Sequence, residues 1–204
     1  MIVALIDYGA GNLRSVANAL KELGITPRIV ADASGLEGTT HLVLPGVGSF
    51  GDCMARLEER GLVSALRERI ASGMPYLGIC LGYQILFEES EETPGVSGLG
   101  IFAGKVKRFQ EQPGLKIPHM GWNSVIPSTA DSGIWKGLGP EPYFYYVHSY
   151  FPVPADPSII AATTTYGADT FAGAVQNGAI FACQFHPEKS QNAGIRLLRN
   201  FFEA

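Results

Sequence analysis

One stretch, Tyr76–Gln84, constrains the fold of this chain more than any other. Its short apolar run ends in Gly78-Ile79-Cys80-Leu81-Gly82, and helix-forming residues follow. The Gly-x-Cys-x-Gly spacing is the thiol counterpart of the Gly-x-Ser-x-Gly nucleophile elbow, a sharp turn between a strand and a helix. The positions two residues before and after the nucleophile are crowded in such a turn, so both must be glycine. The turn also brings the sulfur of Cys80 near a helix N-terminus, which favours a thiolate.

The stretch alone leaves a second interpretation open, in which Cys80 is a buried core residue at a tight connection. The segment His186-Pro187-Glu188 favours the nucleophile, because it directly follows the predicted strand Ile180–Phe185. A histidine at a strand end can reach across neighbouring strand ends in an open α/β sheet. The proline turns the chain so that the Glu188 carboxylate can orient the imidazole. Cys80, His186 and Glu188 are therefore the candidate nucleophile, base and orienting carboxylate.

Strand and helix patterns alternate over the first half of the chain. Unbroken apolar runs are typical of parallel strands buried on both faces, and segments with helical periodicity follow them. This alternation predicts an α/β fold with a mostly parallel, doubly wound sheet flanked by helices. The predicted strands are Ile2–Ile6, Pro27–Val30, His41–Leu44 and Tyr76–Ile79, and the helices are roughly Leu13–Leu23, Gly51–Arg60, Leu62–Ser72 and Gly82–Glu88.

The second half is richer in β-like patterns. The acidic stretch Glu88–Glu92 is by default a solvated helix end, and little helical periodicity follows it until a C-terminal helix near Ile195–Phe202. Frequent Pro and Gly between short β-like runs predict antiparallel strands joined by loops. No linker or repeat is visible, so we expect one domain over residues 1–204, its parallel half followed by an antiparallel, β-rich half. The β-like runs are Lys105–Phe109, Tyr143–Val147, Ile159–Thr165 and Phe171–Gln176.

Charge and cysteine usage exclude several classes of partner and compartment. The formal net charge of −4 gives no sign of nucleic acid or an anionic membrane as partner. No apolar run approaches the roughly 18 residues of a membrane span, and Met1–Asp7 does not resemble a signal peptide. Cys53, Cys80 and Cys183 are odd in number and widely spaced, which argues for a reducing compartment. We expect a cytoplasmic protein.

Pro45-Gly46-Val47-Gly48 ends another predicted parallel strand. A glycine-rich turn there can direct backbone N–H groups at an oxyanion beside Cys80, although a plain turn fits the local pattern equally well. The N–H of Leu81, the residue after the nucleophile, is the natural second donor. Val47, Gly48 and Leu81 are therefore the candidate oxyanion donors.

The sequence contains no complete motif for binding a cofactor or a metal. The segment Asp7–Asn12 offers Gly-x-Gly after a strand, but Arg14 occupies the third glycine position, and no Walker loop occurs. Neither Cys-x-x-Cys nor His-Glu-x-x-His is present to support a zinc site. We expect neither a cofactor nor a metal.

Together these residues resemble the class I, or triad, glutamine amidotransferases, whose glutaminase domains carry Gly-x-Cys-x-Gly and a later His-Pro-Glu. Within that class the chain is similar, over nearly its whole length, to the glutaminase subunits of imidazole glycerol phosphate synthases. The segments that carry the closer match are Asp7–Leu13, Pro45–Phe50, Pro118–Asn123, Tyr146–Tyr150 and His186–Ser190.

The resemblance implies a flavodoxin-like core and a glutaminase reaction. Cys80 would attack the side-chain amide of glutamine, form a γ-glutamyl thioester and release ammonia. His186 would carry the proton, and Glu188 would hold the imidazole. The residues implied to grip the glutamine are Gly46, Gln84, Glu92, His148, Ser149 and Tyr150.

The resemblance also implies a partner, a (β/α)₈-barrel cyclase that receives the ammonia. The cyclase would combine it with a ribulosyl aminoimidazole carboxamide nucleotide to make imidazole glycerol phosphate, bound for histidine, and an aminoimidazole carboxamide ribotide. Since such a barrel needs about 250 residues, we expect the cyclase to be another chain. The residues implied near that interface are Asn12 within the loop Gly9–Leu13, His119, Trp122, Tyr143 and Lys189.

Two other functions stay open at this point. The chain could be the glutaminase of another synthase, such as that for pyridoxal phosphate or anthranilate, although the Pro118–Asn123 segment with Lys189 favours the first. It could also be a non-catalytic α/β scaffold or sensor with a reactive Cys80. The complete Cys80, His186 and Glu188 set argues against a sensor, because a binding module needs no group to orient a base.

Overall fold

The computed structural model describes residues 1–9, 12–131 and 133–204. The strands are β1 Val3–Ile6, β2 Arg28–Val30, β3 His41–Gly46, β4 Tyr76–Cys80, β5 Phe87–Ser90, β6 Phe102–Arg108, β7 His119–Ser124, β8 Ile126–Pro127, β9 Tyr143–His148, β10 Tyr150–Pro154, β11 Ile160–Tyr166, β12 Asp169–Asn177 and β13 Ile180–Cys183. The α-helices are α1 Leu13–Glu22, α2 Phe50–Glu59, α3 Leu62–Ala71, α4 Leu81–Gln84 and α5 Gln191–Glu203. Short 3₁₀ turns span Ala33–Leu36, Gly133–Trp135, Pro157–Ile159 and Pro187–Lys189.

Within the described residues, the main sheet has eight strands in the order β2-β1-β3-β4-β13-β12-β11-β8. Its first five strands are parallel, and the remaining pairings are antiparallel. The parallel part has the 2-1-3-4-5 order of flavodoxin-like sheets, with β13 as the fifth strand. The predicted α/β fold, a mostly parallel doubly wound sheet with an antiparallel extension, is therefore confirmed. The described part of the chain also forms the smaller sheets β10-β6-β5 and β7-β9.

Helices cover both faces of the parallel strands. Alternate residues of β1 point to opposite sides, so Ala4 and Ile6 pack with α2 and α3 residues, whereas Val3 and Leu5 pack with α1 and α5 residues. Every residue of β1 and of β4 is buried, as the unbroken apolar runs predict. Among the described residues, no helix combines the length and apolarity that crossing a membrane requires.

The region after the elbow differs from the prediction. The sequence pattern predicts an elbow helix that runs to Glu88, but α4 ends at Gln84 and β5 begins at Phe87. Phe87 is fully buried, and β5 pairs in parallel with β6. Burial and strand pairing thus override helix propensity here. The expectation that Glu88–Glu92 is a solvated helix end is wrong.

Besides β5, the strands β7, β8 and β10 have no counterpart among the predicted ones. The two prolines of β10, Pro152 and Pro154, disfavour a strand in the sequence pattern. Proline is nevertheless tolerated because β10 lies at the edge of its three-stranded sheet. In β7, Gly121 adopts a φ of 129°, which departs from ordinary strand geometry.

The elbow itself is strained and closely packed. Cys80 has φ 55° and ψ −104°, a conformation that a non-glycine residue rarely adopts. A Cβ on Gly78 would lie 2.6 Å from the carbonyl oxygen of Gly82, and a Cβ on Gly82 would overlap the carbonyl oxygen of Leu44 in β3. The buried Tyr76 hydroxyl donates a hydrogen bond to the Gly82 carbonyl oxygen at 2.7 Å. Both glycines are therefore required by close backbone approach.

This packing predicts the cost of a methyl group at the elbow. Gly82→Ala should lower the free energy of unfolding by roughly 3 kcal/mol or more, because the overlap is with backbone that cannot move alone. Urea titration monitored by circular dichroism measures this difference. Gly61→Ala is the control, since Gly61 has φ 65° but a Cβ there would have no atom within 4 Å, and it should cost only about 1 kcal/mol. Equal losses for the two variants would contradict the steric account.

Candidate active site

The predicted site segments meet at one edge of the sheet. Parallel strands β3, β4 and β13 are adjacent, and their carboxyl ends lead into the Gly46–Gly48 turn, Cys80 and His186. Gly46 is the register partner of Cys80. Open α/β sheets place ligand sites at this edge.

The imidazole of His186 is held by Glu188. Its Nδ1 lies 2.8 Å from Oε1 of Glu188, and both side chains are fully buried. Pro187 begins a 3₁₀ turn that brings the carboxylate back to the ring, and Ser190 Oγ donates to the His186 carbonyl oxygen at 2.6 Å. The other ring nitrogen, Nε2, has no hydrogen-bond partner among the described residues. The ring is thus fixed with one nitrogen left for chemistry.

Two opposing effects act on the pKa of His186. Burial lowers it, because the charged imidazolium loses its hydration. Cys80 and then Glu188 act in the opposite direction, and they prevail, so the pKa of His186 is raised to about 10. An imidazole in this position can hold a proton taken from the thiol.

A cavity of about 260 Å³ opens beside Cys80. This volume is slightly below the range of drug-sized ligand pockets and suits a small metabolite. It is lined by all the candidate oxyanion residues and all but one of those implied to grip glutamine: Val47, Gly48, Leu81, Gln84, Glu92, His148, Ser149 and Tyr150.

Gly46 is the exception and does not line the cavity. A Cβ on Gly46 would lie 2.5 Å from the Tyr8 hydroxyl and 2.7 Å from the Leu81 Cβ. Its missing side chain lets β3 approach the elbow. The described geometry therefore supports a packing role for Gly46 in place of contact with a ligand.

Glu92 and Gln84 are both held by the protein. Oε2 of Glu92 accepts a hydrogen bond of 2.7 Å from the N–H of Phe50 at the start of α2, where a carboxylate is favoured by the helix dipole. Gln84 Nε2 donates to the carbonyl oxygen of Tyr150 at 2.9 Å and to Oε1 of Gln184 at 3.0 Å. Both side chains are thus oriented before any ligand is bound.

His119 and His148 form a buried pair. Nδ1 of His119 lies 3.0 Å from Nε2 of His148, and Nδ1 of His148 lies 2.8 Å from the Tyr150 carbonyl oxygen. Burial lowers the pKa of His119 to about 4 and that of His148 to about 3, so both rings are neutral near pH 7. His119 is only 3% exposed, which corrects the expectation that it lies at a partner surface.

The other residues implied at an interface divide into exposed and buried ones. Trp122 and Tyr143, on the β7–β9 ribbon, are 47% and 56% exposed. Lys189 is also exposed, with Nζ 5.8 Å from the centre of the Tyr145 ring. Asn12 is buried, so its expected surface position is wrong, and its Nδ2 donates instead to Glu188 Oε1 at 3.2 Å.

The resemblance also implies that the loop Gly9–Leu13 lies near the interface. Residues 10 and 11 of that loop lie outside the described residues.

Gln184 is a site residue that the sequence reasoning missed. Its Nε2 lies 3.5 Å from Sγ of Cys80, and the residue is completely buried. The available signal was a polar residue inside the apolar run Ile180–Phe185 that leads to His186. In the described part of the chain, no group of three or more His, Cys, Asp or Glu residues could hold a metal ion.

Comparison with known proteins gives matches over nearly the whole chain. The family model described as class-I glutamine amidotransferase matches residues 4–204. A relative from Thermosynechococcus vestitus, named imidazole glycerol phosphate synthase subunit HisH, is 53% identical over 199 residues, which cover 98% of this chain and 95% of the relative. A relative with the same name from Synechocystis sp. is 48% identical over 199 residues, with coverage of 98% and 94%.

Two solved structures are similar over nearly their full length. One, described as a glutamine amidotransferase, has a TM-score of 0.74 and 26% identity, and covers 100% of this chain and 98% of its own. PurLQS from Thermotoga maritima has a TM-score of 0.77 and 21% identity, with coverage of 98% and 97%. Because PurLQS is only 21% identical to this chain, that similarity concerns the fold alone.

The opposing effects on His186 predict how its titration responds to loss of the thiol. In the wild-type protein the ring should stay protonated up to about pH 10. Cys80→Ala removes the largest influence that raises the pKa, so burial weighs more heavily and the ring should deprotonate at lower pH. Imidazole ¹⁵N chemical shifts followed against pH measure this change.

Cys53→Ala is the matched control for this titration. Cys53 is also a buried cysteine, but it does not contribute to the pKa of His186. Its replacement should leave the titration unchanged. An unchanged His186 midpoint in Cys80→Ala would contradict the assigned cause.

Proposed function

The chain belongs to the class I glutamine amidotransferase family, and from this premise we propose that it is the glutaminase subunit of an imidazole glycerol phosphate synthase. The observation that carries the proposal is the buried His186–Glu188 pair beside Cys80, at the wall of a cavity of amino-acid size. The name shared by relatives of 53% and 48% identity supports the choice of synthase.

In the first half of the reaction, Cys80 is the nucleophile. Its thiol proton passes to Nε2 of His186, and the thiolate sulfur then forms a bond to the side-chain carbonyl carbon of glutamine. The C–N bond then breaks, the leaving nitrogen takes the proton from His186, and ammonia departs. A γ-glutamyl thioester on Cys80 remains. The Glu188 carboxylate, 2.8 Å from Nδ1 of His186, stabilises the imidazolium that forms in between.

In the second half, water replaces ammonia. His186 takes a proton from the attacking water, the oxygen bonds to the thioester carbon, and the C–S bond breaks. The sulfur recovers a proton from His186 and glutamate leaves. Each half-reaction returns the proton that His186 takes up, so the site needs no external acid or base.

The oxyanion of both half-reactions would be bound by backbone N–H groups. Leu81 is the first residue of α4, where N–H groups have no partner within the helix. Val47 and Gly48 provide the second side of the site, by analogy with nucleophile elbows that use two donors. Gly48 has φ 108°, a conformation that favours glycine, so the turn can aim its peptides in ways other residues cannot.

The glutamine backbone would be recognised at the other end of the cavity. The carboxylate of Glu92 can pair with the α-ammonium group, and the side-chain oxygen of Gln84 can accept a hydrogen bond from it. The backbone N–H groups of His148–Tyr150 are suited to the α-carboxylate. Since Glu92 and Gln84 are already oriented by protein hydrogen bonds, little ordering is needed on binding.

Ammonia would pass to a separate cyclase subunit with a (β/α)₈ barrel. There it would yield imidazole glycerol phosphate and an aminoimidazole carboxamide ribotide. The exposed aromatic residues Trp122 and Tyr143 and the cation of Lys189 give a surface suited to a protein partner. We further propose that residues 1–204 act as one domain and that the protein is cytoplasmic.

One substitution tests the reaction and its coupling together. Cys80→Ala should abolish glutamate release, because no thioester can form, while the complex with the cyclase should still make imidazole glycerol phosphate from free ammonium. Both products are measured on the mixed subunits with the nucleotide substrate. Cys53→Ala is the control and should retain both activities. Loss of the ammonium-dependent reaction in Cys80→Ala would contradict a role limited to supplying ammonia.

A further inference from the structure

We infer that Gln184 is a further catalytic residue, whose side-chain N–H donates to the sulfur of Cys80 and stabilises negative charge on it. The inference rests on the proposed function, in which that sulfur is the nucleophile. Nε2 of Gln184 lies 3.5 Å from Sγ, and no part of Gln184 is exposed. A buried amide in contact with a reacting atom needs a chemical reason, since burying it without full hydrogen bonding is costly.

The orientation of the amide is decided by its neighbours. The carbonyl oxygen of Tyr150 can only accept, so the end of Gln84 that lies 2.9 Å from it must be the nitrogen. The second hydrogen of that nitrogen points to the end of Gln184 at 3.0 Å, which must therefore be the oxygen. The opposite end of the Gln184 amide, the nitrogen, is left facing Sγ. If the nitrogen and oxygen of the Gln184 amide were exchanged, its nitrogen would face the nitrogen of Gln84, and two donors would oppose each other.

The Tyr150 carbonyl is itself fixed from a second direction. Nδ1 of His148 lies 2.8 Å from it and must carry a hydrogen to donate. With His148 neutral, its Nε2 has no hydrogen and accepts one from Nδ1 of His119 at 3.0 Å. Nε2 of the neutral His119 then accepts from Nδ2 of Asn123 at 3.2 Å.

Asn123 closes this chain of assignments. Its Nδ2 also donates to the Thr165 carbonyl oxygen at 2.9 Å, and its Oδ1 accepts from the Ser124 N–H at 2.8 Å. Its amide orientation is thus set by two backbone groups. The hydrogen positions are therefore mutually consistent along the whole network. It connects Asn123 through the two histidines to the Tyr150 carbonyl, and that carbonyl through Gln84 and Gln184 to the sulfur of Cys80.

The chemical effect of this donor depends on the charge of the sulfur. A neutral thiol is a weak acceptor, whereas a thiolate forms a charge-assisted hydrogen bond that is considerably stronger. The N–H of Gln184 therefore favours the states in which the sulfur is negative. These are the thiolate before attack on glutamine and the thiolate that leaves when the thioester is hydrolysed. His186 therefore takes up and returns the proton, whereas the N–H of Gln184 stabilises the negative charge on the sulfur.

Two substitutions at Gln184 test the inference. Gln184→Met keeps an unbranched side chain but removes the donor, and Gln184→Glu keeps the shape but turns an acceptor toward the sulfur. Each should slow alkylation of Cys80 by iodoacetamide at pH 7 by about tenfold to a hundredfold, with the larger effect for Gln184→Glu. The midpoint of the pH profile of alkylation should move to higher pH, and glutamate release should fall. Peptide mass mapping assigns the label to Cys80.

The control is Gln176→Glu, which alters an exposed glutamine of strand β12 and should leave both rates unchanged. The buried Cys53 and Cys183 report folding in the same experiment, because they are labelled only if the chain opens. A folded Gln184 variant that alkylates at the wild-type rate would overturn the inference.

If both Gln184 variants unfold, a measurement on the wild-type protein still tests the inference. The side-chain amide resonances of Gln184 should shift when Cys80 is alkylated, and unshifted resonances would also overturn the inference. Failure of the proposed function is distinguishable from this result. A wild-type chain that alkylates readily but releases no glutamate with its cyclase contradicts the proposed function and leaves the role of Gln184 intact.

Discussion

The close approach of the elbow to strand β3 is the constraint on which the rest of the site depends. Because Gly82 lies against the carbonyl of Leu44, α4 begins directly at the sheet edge and Cys80 is forced to φ 55°. The sulfur is thereby carried beyond the strand end, beside the Gly46–Gly48 turn of β3 and the segment that follows β13. Side chains at either elbow glycine would separate these strands from the helix, and the cavity, the oxyanion turn and the base would no longer share one edge.

Burial lowers the pKa of His119, His148 and His186 alike, but the outcome at His186 is the opposite of that at the other two. Burial keeps His119 and His148 neutral, and the nearby His186 lowers the pKa of His148 further, so both rings serve as fixed hydrogen-bond connectors. His186 is equally buried, but it contacts Glu188 and lies beside Cys80, so its pKa is raised. The same desolvation therefore produces structural imidazoles in one place and a proton carrier in another, and the adjacent charge decides which.

Much of this could be predicted from sequence because it is local. The glycines around Cys80, the proline after His186 and the unbroken apolar strands each have a steric or solvation cause within a few residues. The early end of α4 could not be predicted, since it depends on β5 pairing with β6 from a distant segment. The burial of Asn12 and His119 depends likewise on elements far apart in the chain, and so does the contact of Gln184 with the sulfur. The catalytic roles of Cys80, His186 and Glu188, the roles of the cavity residues toward glutamine, and the interface roles of Trp122, Tyr143 and Lys189 stay predictions.

The covalent intermediate is the most direct test of the central claim that Cys80 attacks glutamine with help from His186 and Glu188. The complex with the cyclase and its nucleotide is supplied with glutamine, quenched in acid during turnover, and digested for mass spectrometry. The account predicts a γ-glutamyl adduct on the peptide that contains Cys80, and its accumulation should change when His186 is replaced by alanine. An adduct on another residue, or steady glutamate release with no adduct in either protein, would contradict the account.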